Sequence, residues 1–448
     1  MSESQPTDSS ARRSRREFLA ASGLIAGGAV VGSLAVGRAC HAAGSDGLKI
    51  GLIGCGGRGA GAVRSALSVD PGAKLVAMAD PFRDRMEQCR EKLRKAMPDD
   101  ADRLAVDDDH LFDGFEGHNR LLASGVDVAI LAEPPHFRPM HIEACVEAGV
   151  HLMAEKPMAV DAPGVRRVLA AGEKAKQKNT SFVSGFESRY SPALREAVER
   201  VHDGQIGEIV ALHGTYNTGF LWHRGREPDW SEMQYQMRNW YYFTWLSGDH
   251  IVEQYVHLID RASWIMKEES PATAWGYGGR QVRTEPKWGD IFDHHAVVYQ
   301  YESGPRMFAF TRQQTNCFNG VTDVVLGTKG QLTKGRRGGI AILGLKGEEK
   351  WTAEKEARYA ELDCFEEMFA GIRSGKPIND SYTMGHSTMV AIMGRMATHG
   401  GQEVTWDEAF NSKLDLSPKS YAWDADPPVL PGPDGHYPEP IPGVTKVL

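Results

Sequence analysis

The sequence predicts an α/β protein: a parallel, doubly wound sheet in the first half and a large, mostly antiparallel open sheet in the second. Two observations carry this. From Leu48 to Pro157, short apolar runs alternate with helical segments. Beyond about Ile206 the apolar runs lengthen, alternate in polarity and face one another across turns such as Ser303-Gly304-Pro305.

In order, LKIGLIGCG (48–56) is a strand running into a glycine turn, followed by a helix to about Val69. AKLVAMAD (Ala73 to Asp80) is a strand, Phe82 to Met97 a charged helix, and a polar loop carries Asp107, Asp108 and Asp109. A helix near Asn119–Ala123, the strand DVAILAEPP, a helix over 139–148 and the strand VHLMAEKP complete the alternation. The second half begins with SFVSGFES as a strand, a helix near Pro192–Val201 and the longer strand IGEIVALHGTYN. A loop rich in aromatics (Trp222, Trp230, Trp240, Tyr241, Tyr242, Trp245) enters a helix over about 249–265, with Asp249 as its N-cap. AVVYQYESGPRMFAFTRQ and VTDVVLGTKGQLTK read as hairpins, and a helix near 361–374 precedes a polar, Pro-rich tail. The expected divisions are 1–43, a signal; 47–183, the parallel-sheet domain; 184–425, the open-sheet domain; and 426–448, the tail.

Composition is that of a globular protein, with 41% hydrophobic and 25% charged residues among 448. Formal net charge is −8; the first 43 residues carry five Arg against three acids, so the rest stands at −10. An acidic body without a basic stripe argues against nucleic acid as a partner. The six cysteines (40, 55, 89, 145, 317, 364) form no CxxC pair, so neither a disulfide framework nor a zinc motif is expected, and no metal is assigned. At the N-terminus SRREFLA (Ser14 to Ala20) precedes a Gly- and Ala-rich apolar run, the order of a twin-arginine export signal, with cleavage near Cys40–Gly44. That implies the twin-arginine translocation machinery as a partner and a periplasmic or exported location.

Gly54-Cys55-Gly56-Gly57-Arg58-Gly59 satisfies GxGxxG between a strand and a helix. The first glycine permits the turn, the second admits a pyrophosphate against the backbone, and the third lets helix and strand approach closely. Asp80, ending the next strand, is placed to accept ribose hydroxyls and repel a 2′-phosphate, favouring NAD over NADP. Arg83 nearby would soften that preference.

AEPPHFRPMHIEACVEAGVHLMAEKP (Ala132 to Pro157) resembles the glucose–fructose oxidoreductase, inositol dehydrogenase and MocA family. The resemblance rests on His141, Ala144, Ala148, Gly149 and the closing Glu155-Lys156-Pro157, and continues through ESRYSPAL, GDHIVEQYVHLID and FEEMFAGIRSGKP. It implies a Rossmann cofactor domain followed by an α/β domain whose open sheet faces the nicotinamide. It also implies a common homo-oligomer surface on that sheet. Cofactor-site residues are then Gly54, Gly56, Gly57, Arg58, Gly59, Asp80, Glu133, Pro134, His136, Glu155 and Lys156, around a tightly bound NAD.

The family also implies that Lys156 reaches between cofactor and substrate. Many relatives carry an Asp four residues before a His; here Glu253 holds that place before His257. Spacing i, i+4 sets the two on one helix face, able to touch. His257 would take the hydroxyl proton while Glu253 orients the ring or binds a neighbouring hydroxyl. His250 is a weaker candidate. Arg238, Trp240 and Tyr241 are expected to line a sugar pocket, with Asp293 or a neighbouring His294 or His295 entering it. Together these predict a periplasmic NAD-dependent oxidoreductase of a sugar, glycoside or cyclitol hydroxyl. The alternative within the family is an NAD-dependent glycosidase resembling α-N-acetylgalactosaminidase, which oxidises C3 transiently, eliminates the aglycone and reduces again. A sugar-binding protein with a relict cofactor fold is a third reading.

Overall fold

The computed structural model describes residues 47–335 and 339–448. The expected export signal lies outside the described residues. Six parallel strands form the first sheet, in the order β3-β2-β1-β4-β5-β6: β1 (Lys49–Ile53), β2 (Lys74–Ala79), β3 (Leu111–Phe112), β4 (Val128–Leu131), β5 (His151–Ala154) and β6 (Phe182–Ser184). Reversal of strand order beside β1 opens a crevice between the β1 and β4 ends, where doubly wound sheets bind ligands. Its helices are α1 (Gly57–Val69), α2 (Arg83–Ala96), α3 (Gly117–Ala123), α4 (Arg138–Ala148) and α5 (Ala162–Lys178). The segment SFVSGFES thus belongs to the first sheet, as its sixth strand, rather than opening the second half.

Helix α6 (Pro192–His202) leads into β7 (Ile209–Thr218), the first strand of a nine-stranded sheet in the order β14-β13-β12-β11-β7-β10-β9-β8-β15. All its pairs are antiparallel except β7 with β10. The other strands are β8 (Pro271–Gly279), β9 (His294–Tyr301), β10 (Arg306–Gln313), β11 (Gly320–Gly327), β12 (Gly330–Lys334), β13 (Ile340–Gly344), β14 (Glu349–Thr352) and β15 (Val404–Thr405). Between β7 and β8 lie α7 (Glu232–Arg238), α8 (Thr244–Ser247), α9 (His250–Glu253) and α10 (Val256–Ile265); after β14 come α11 (Ala360–Arg373), α12 (Ser381–Gly400) and α13 (Trp406–Asn411). The helix expected over 249–265 is therefore two helices, broken at Gln254 and Tyr255.

One face of this sheet, with Leu212, Val297, Tyr299, Met307 and Val325, packs in one core with α10 and α12. Helix α12 is enclosed on all sides: all of it but Tyr382 and Thr383 is buried, the polar His386, Ser387, Thr388, Arg395, Thr398 and His399 included. The opposite sheet face bears Trp275, Tyr277 and Phe310, which are exposed. Helix α11 returns to the first sheet: Cys364, Phe365, Met368, Phe369 and Ile372 join the core of Val63, Leu67 and Val128. Full burial of each large apolar side chain contributes roughly 1.5–3 kcal/mol. Two strand-like hydrogen bonds tie the same return to β6, Phe182 N to Ile378 O and Asp380 N to Phe182 O, both at 2.8 Å.

Candidate functional site

A cavity of about 370 Å3 opens over the glycine turn. Gly54 sits at φ +92°, and a Cβ there would lie 2.3 Å from the Glu133 amide nitrogen. A Cβ on Gly59 would lie 2.3 Å from Gly54 O, so this glycine lets α1 approach the strand. At Gly57 nothing lies within 4 Å, and at Gly56 only Arg85 does. The backbone amides at the start of α1 are therefore open to an anionic group. Gly54, Gly56, Gly57, Arg58, Asp80, Glu133 and Pro134 all line the cavity.

Asp80 is buried, and burial pushes its carboxyl above the ordinary value despite nearby Arg85. It accepts from Cys55 N at 2.9 Å and Phe82 N at 3.0 Å, so it also shapes the glycine turn. Arg83 turns away, to Glu87 (3.2 Å) and Leu111 O (3.0 Å). Arg85, two residues on, faces the cavity instead. Glu133 is 4% exposed, and neither carboxylate oxygen has a hydrogen-bond donor; the nearest group is His141, whose Nδ1 stands 3.2 Å from Oε1 without bonding geometry. A buried carboxylate without donors requires a ligand's hydroxyl or amine to satisfy it. Open amides, Asp80 and this orphaned acceptor fit a dinucleotide.

Arg58 is more a brace than a free phosphate ligand. Its Nε donates to Glu155 at 2.6 Å and its Nη1 to Glu361 at 3.2 Å. Partial burial opposes its charge, but Glu155 and Glu361 raise its pKa all the same. Glu155 thus serves the cofactor site through Arg58. His136 lies outside the cavity lining: its ring meets Trp245, and its Nε2 is 2.8 Å from the Tyr421 hydroxyl. Burial pushes it down to about 4, a neutral core histidine.

At the end of β5, Lys156 donates from Nζ to Glu253 O (2.6 Å) and Oε1 (2.9 Å). The break after α9 sends Glu253 to Lys156 rather than to His257, correcting the i, i+4 contact. His257 instead stands with Nδ1 3.9 Å from Glu187 Oε1. Burial, then the cations Lys156, Arg261 and Arg58, push its pKa well down, leaving a neutral imidazole.

Of the expected substrate residues, Trp240 lines the cavity, joined by Trp222, Arg224 and Met237 from the same domain. Arg238 binds Asp84 at 2.9 and 3.2 Å and stacks over Phe82, clasping the two domains. Tyr241 is buried, its hydroxyl 2.6 Å from Gln313 Nε2, which also reaches Gln254 Oε1 at 3.0 Å. Asp293 does not enter a pocket. It is fully buried and accepts from the amides of Gln281, Val282 and Arg283 at 2.8, 2.8 and 3.2 Å, fixing the turn after β8. Asp249 does more than cap α9. Its buried carboxylate meets His250, His295 and His399. Arg85, Arg224, His118 and His141 were missed as cavity residues. Two of them had a sequence signal: Arg85 in the first turn of the helix following Asp80, and His141 in the pattern that closes at Glu155-Lys156-Pro157.

A parallel sheet with an open glycine turn at its crevice, capped by a second domain that brings Glu253 to Lys156, defines a two-domain nicotinamide-dependent oxidoreductase. Residues 48–183 match the model of the GFO/IDH/MocA oxidoreductase family with its NAD-binding Rossmann fold, and residues 194–333 match that family's C-terminal domain. The chain belongs to this family. It is 24% identical over 337 residues to scyllo-inositol 2-dehydrogenase (NAD(+)) of Bacillus subtilis, covering 73% of this chain and 87% of the relative. It is 25% identical to myo-inositol 2-dehydrogenase of Thermotoga maritima, covering 57% of this chain and 66% of the relative. In fold it is similar to levoglucosan dehydrogenase in complex with NADH and levoglucosan (TM-score 0.61, 17% identity, 80% of this chain and 99% of that one). The aldose-aldose oxidoreductase of Caulobacter crescentus is comparable (TM-score 0.60, 17% identity, 80% and 99%).

Proposed function

We propose that the protein oxidises a hydroxyl of a sugar, glycoside or cyclitol with NAD, in the periplasm and with the dinucleotide retained between turnovers. One observation carries the reading: the Lys156–Glu253 pair stands at the β5 end beside an imidazole kept neutral by burial. When bound, NAD supplies a hydride acceptor. His257 takes the hydroxyl proton, and Lys156, held by Glu253, hydrogen-bonds the same oxygen as it becomes a carbonyl. Glu133 and the amides at the start of α1 hold the dinucleotide. Inositol dehydrogenases among the relatives support a polyhydroxylated substrate.

Retention is supported by the walls of the cavity, which come from both domains and carry Trp222 and Trp240 on the side opposite the glycine turn. The exposed aromatic face of the nine-stranded sheet supports a homo-oligomer. The experiment is to purify the exported chain without added cofactor, identify any dinucleotide released on denaturation, and expose an intact aliquot to sugars, inositols and aryl glycosides. Reduced-nicotinamide absorbance with intact glycosides is the expected result. Aglycone release without lasting reduction would instead identify the redox-neutral glycosidase cycle. Absence of any dinucleotide would refute retention.

A further inference from the structure

We infer that Asp249, His295 and His399 form a buried binding site for one divalent transition-metal ion of the zinc class. One ligand atom from each lies within 4.8 Å of the others, and all three side chains are buried. His295 Nε2 is 3.2 Å from Asp249 Oδ1, and His399 Nε2 is 2.9 Å from Oδ2. Ligands about 2.1 Å from a tetrahedral zinc stand roughly 3.4 Å apart, so small side-chain adjustments create the site.

The chemistry of His295 supplies an independent reason. Its Nε2 is buried and makes no hydrogen bond, although a carboxylate oxygen is so close. Its Nδ1 lies 2.9 Å from Thr398 Oγ1, and Thr398 gives its one hydroxyl proton to the preceding turn, at Gly394 O and Arg395 O (both 3.1 Å). In the tautomer in which Thr398 accepts from Nδ1–H, Nε2 keeps a bare lone pair directed into the cluster. A lone pair and a carboxylate oxygen 3.2 Å apart in the core repel unless a proton or a metal ion lies between them. A ligating histidine anchored through its other nitrogen is the usual second layer of a metal site.

Two further facts agree. Asp249 adopts φ +71°, a conformation costly for any residue with a Cβ, so the carboxylate is held there against the backbone's preference. The buried arginines near it spend donors elsewhere: Arg283 Nη1 on Gln313 Oε1 and Nη2 on Phe292 O, Arg395 Nη1 on Val160 O and Gly248 O. His250 Nδ1 donates to Asp249 Oδ1 (3.0 Å) and Phe292 O (3.2 Å), and Oδ2 accepts Phe292 N (2.9 Å), so both orient the carboxylate from outside the ligand set. The ion staples the start of α9 to β9 and to the end of α12. Glu253, the partner of Lys156, ends that same helix.

The test uses the full chain produced in cells supplied with zinc and purified without chelator. Elemental analysis is expected to find about one ion per chain, and His399→Gln and His295→Gln about a tenth of that or less, with the far-ultraviolet circular dichroism of the wild type. Production in cobalt-supplemented cells reads the site even where a variant fails to fold. The wild type should then show the visible d–d bands of a nitrogen- and oxygen-ligated Co2+ of low coordination number. A folded wild-type chain that carries neither zinc nor another transition metal, and shows no cobalt bands, overturns the inference. So does metal content undiminished in both folded variants.

Discussion

Replacing Arg58 with Ala tests how the glycine turn is held. Arg58 joins three parts of the chain: its own turn, Glu155 at the end of β5 and Glu361 in α11, where Ser65 Oγ also donates at 3.1 Å. Glu155 and Glu361 are 3% and 2% exposed, so removing the guanidinium strands two buried carboxylates. Breaking a buried pair costs about 3–5 kcal/mol. Arg58 itself is 38% exposed, and solvent screening reduces this to roughly 2–3 kcal/mol. Urea unfolding of the wild type, Arg58→Ala, Glu361→Gln and the double variant should show that loss, with part of it restored when Glu361 is also neutralised. Because the guanidinium is committed to carboxylates and the turn's amides remain, NAD affinity should fall by less than about tenfold. An Arg58→Ala protein within about 0.5 kcal/mol of the wild type would refute the brace.

Lys156→Ala should lower kcat/KM by roughly 10²–10⁴ with the retained dinucleotide unchanged, checked by steady-state kinetics beside cofactor release on denaturation. Because the pKa of His257 is depressed, the acid limb of kcat/KM should fall below the ordinary histidine value of about 6.5; a limb above 7 would exclude His257 as the base. His118 and His136 are both held neutral at about 4. Their unfolded forms bind protons first as pH falls, so stability present above about 6.5 is lost on acidification, by about 2 kcal/mol each at pH 5, measurable by urea unfolding. Trp423 packs on Phe82 and Phe115, with ring centroids 4.9 and 4.6 Å away, and both phenylalanines line the cavity. Trp423→Ala should therefore speed dinucleotide release during dialysis while leaving Lys156 chemistry intact.

The glycine turn, Asp80 and Glu155-Lys156-Pro157 were legible because each is a local pattern whose geometry follows from a strand end. Helix α12 gave no such signal. Its polar residues, among them His386, Arg395, Thr398 and His399, are buried along with its apolar ones, so no solvated polar face marks its period. The pairing of Glu253 depended on a break at Gln254, set by the packing of α9 and α10 rather than by local propensity. Asp293 and His136 were read as site residues from their neighbourhood, yet each is absorbed by polar groups distant in sequence. The encounter of Asp249 with His295 and His399 brings together an N-cap, a strand and a helix end, for which no spacing rule exists. The tail looked merely polar, although Tyr437 is buried against Phe243.

The return of α11 and residues 378–380 to the first sheet bears on the order in which the protein can be made. The cofactor half, though first off the ribosome, lacks the wall formed by Phe365, Met368 and Phe369 until most of the polypeptide exists. Until then the faces of Val63, Leu67 and Val128 have no cover, and β6 has an unpaired edge. The nucleotide-binding half therefore draws part of its core from the C-terminal third, and a fragment ending near residue 183 would leave that apolar surface uncovered. Glu361, which braces Arg58 beside the glycine turn, belongs to that same return, so the turn gains its full bracing only when the C-terminal third of the chain has joined it.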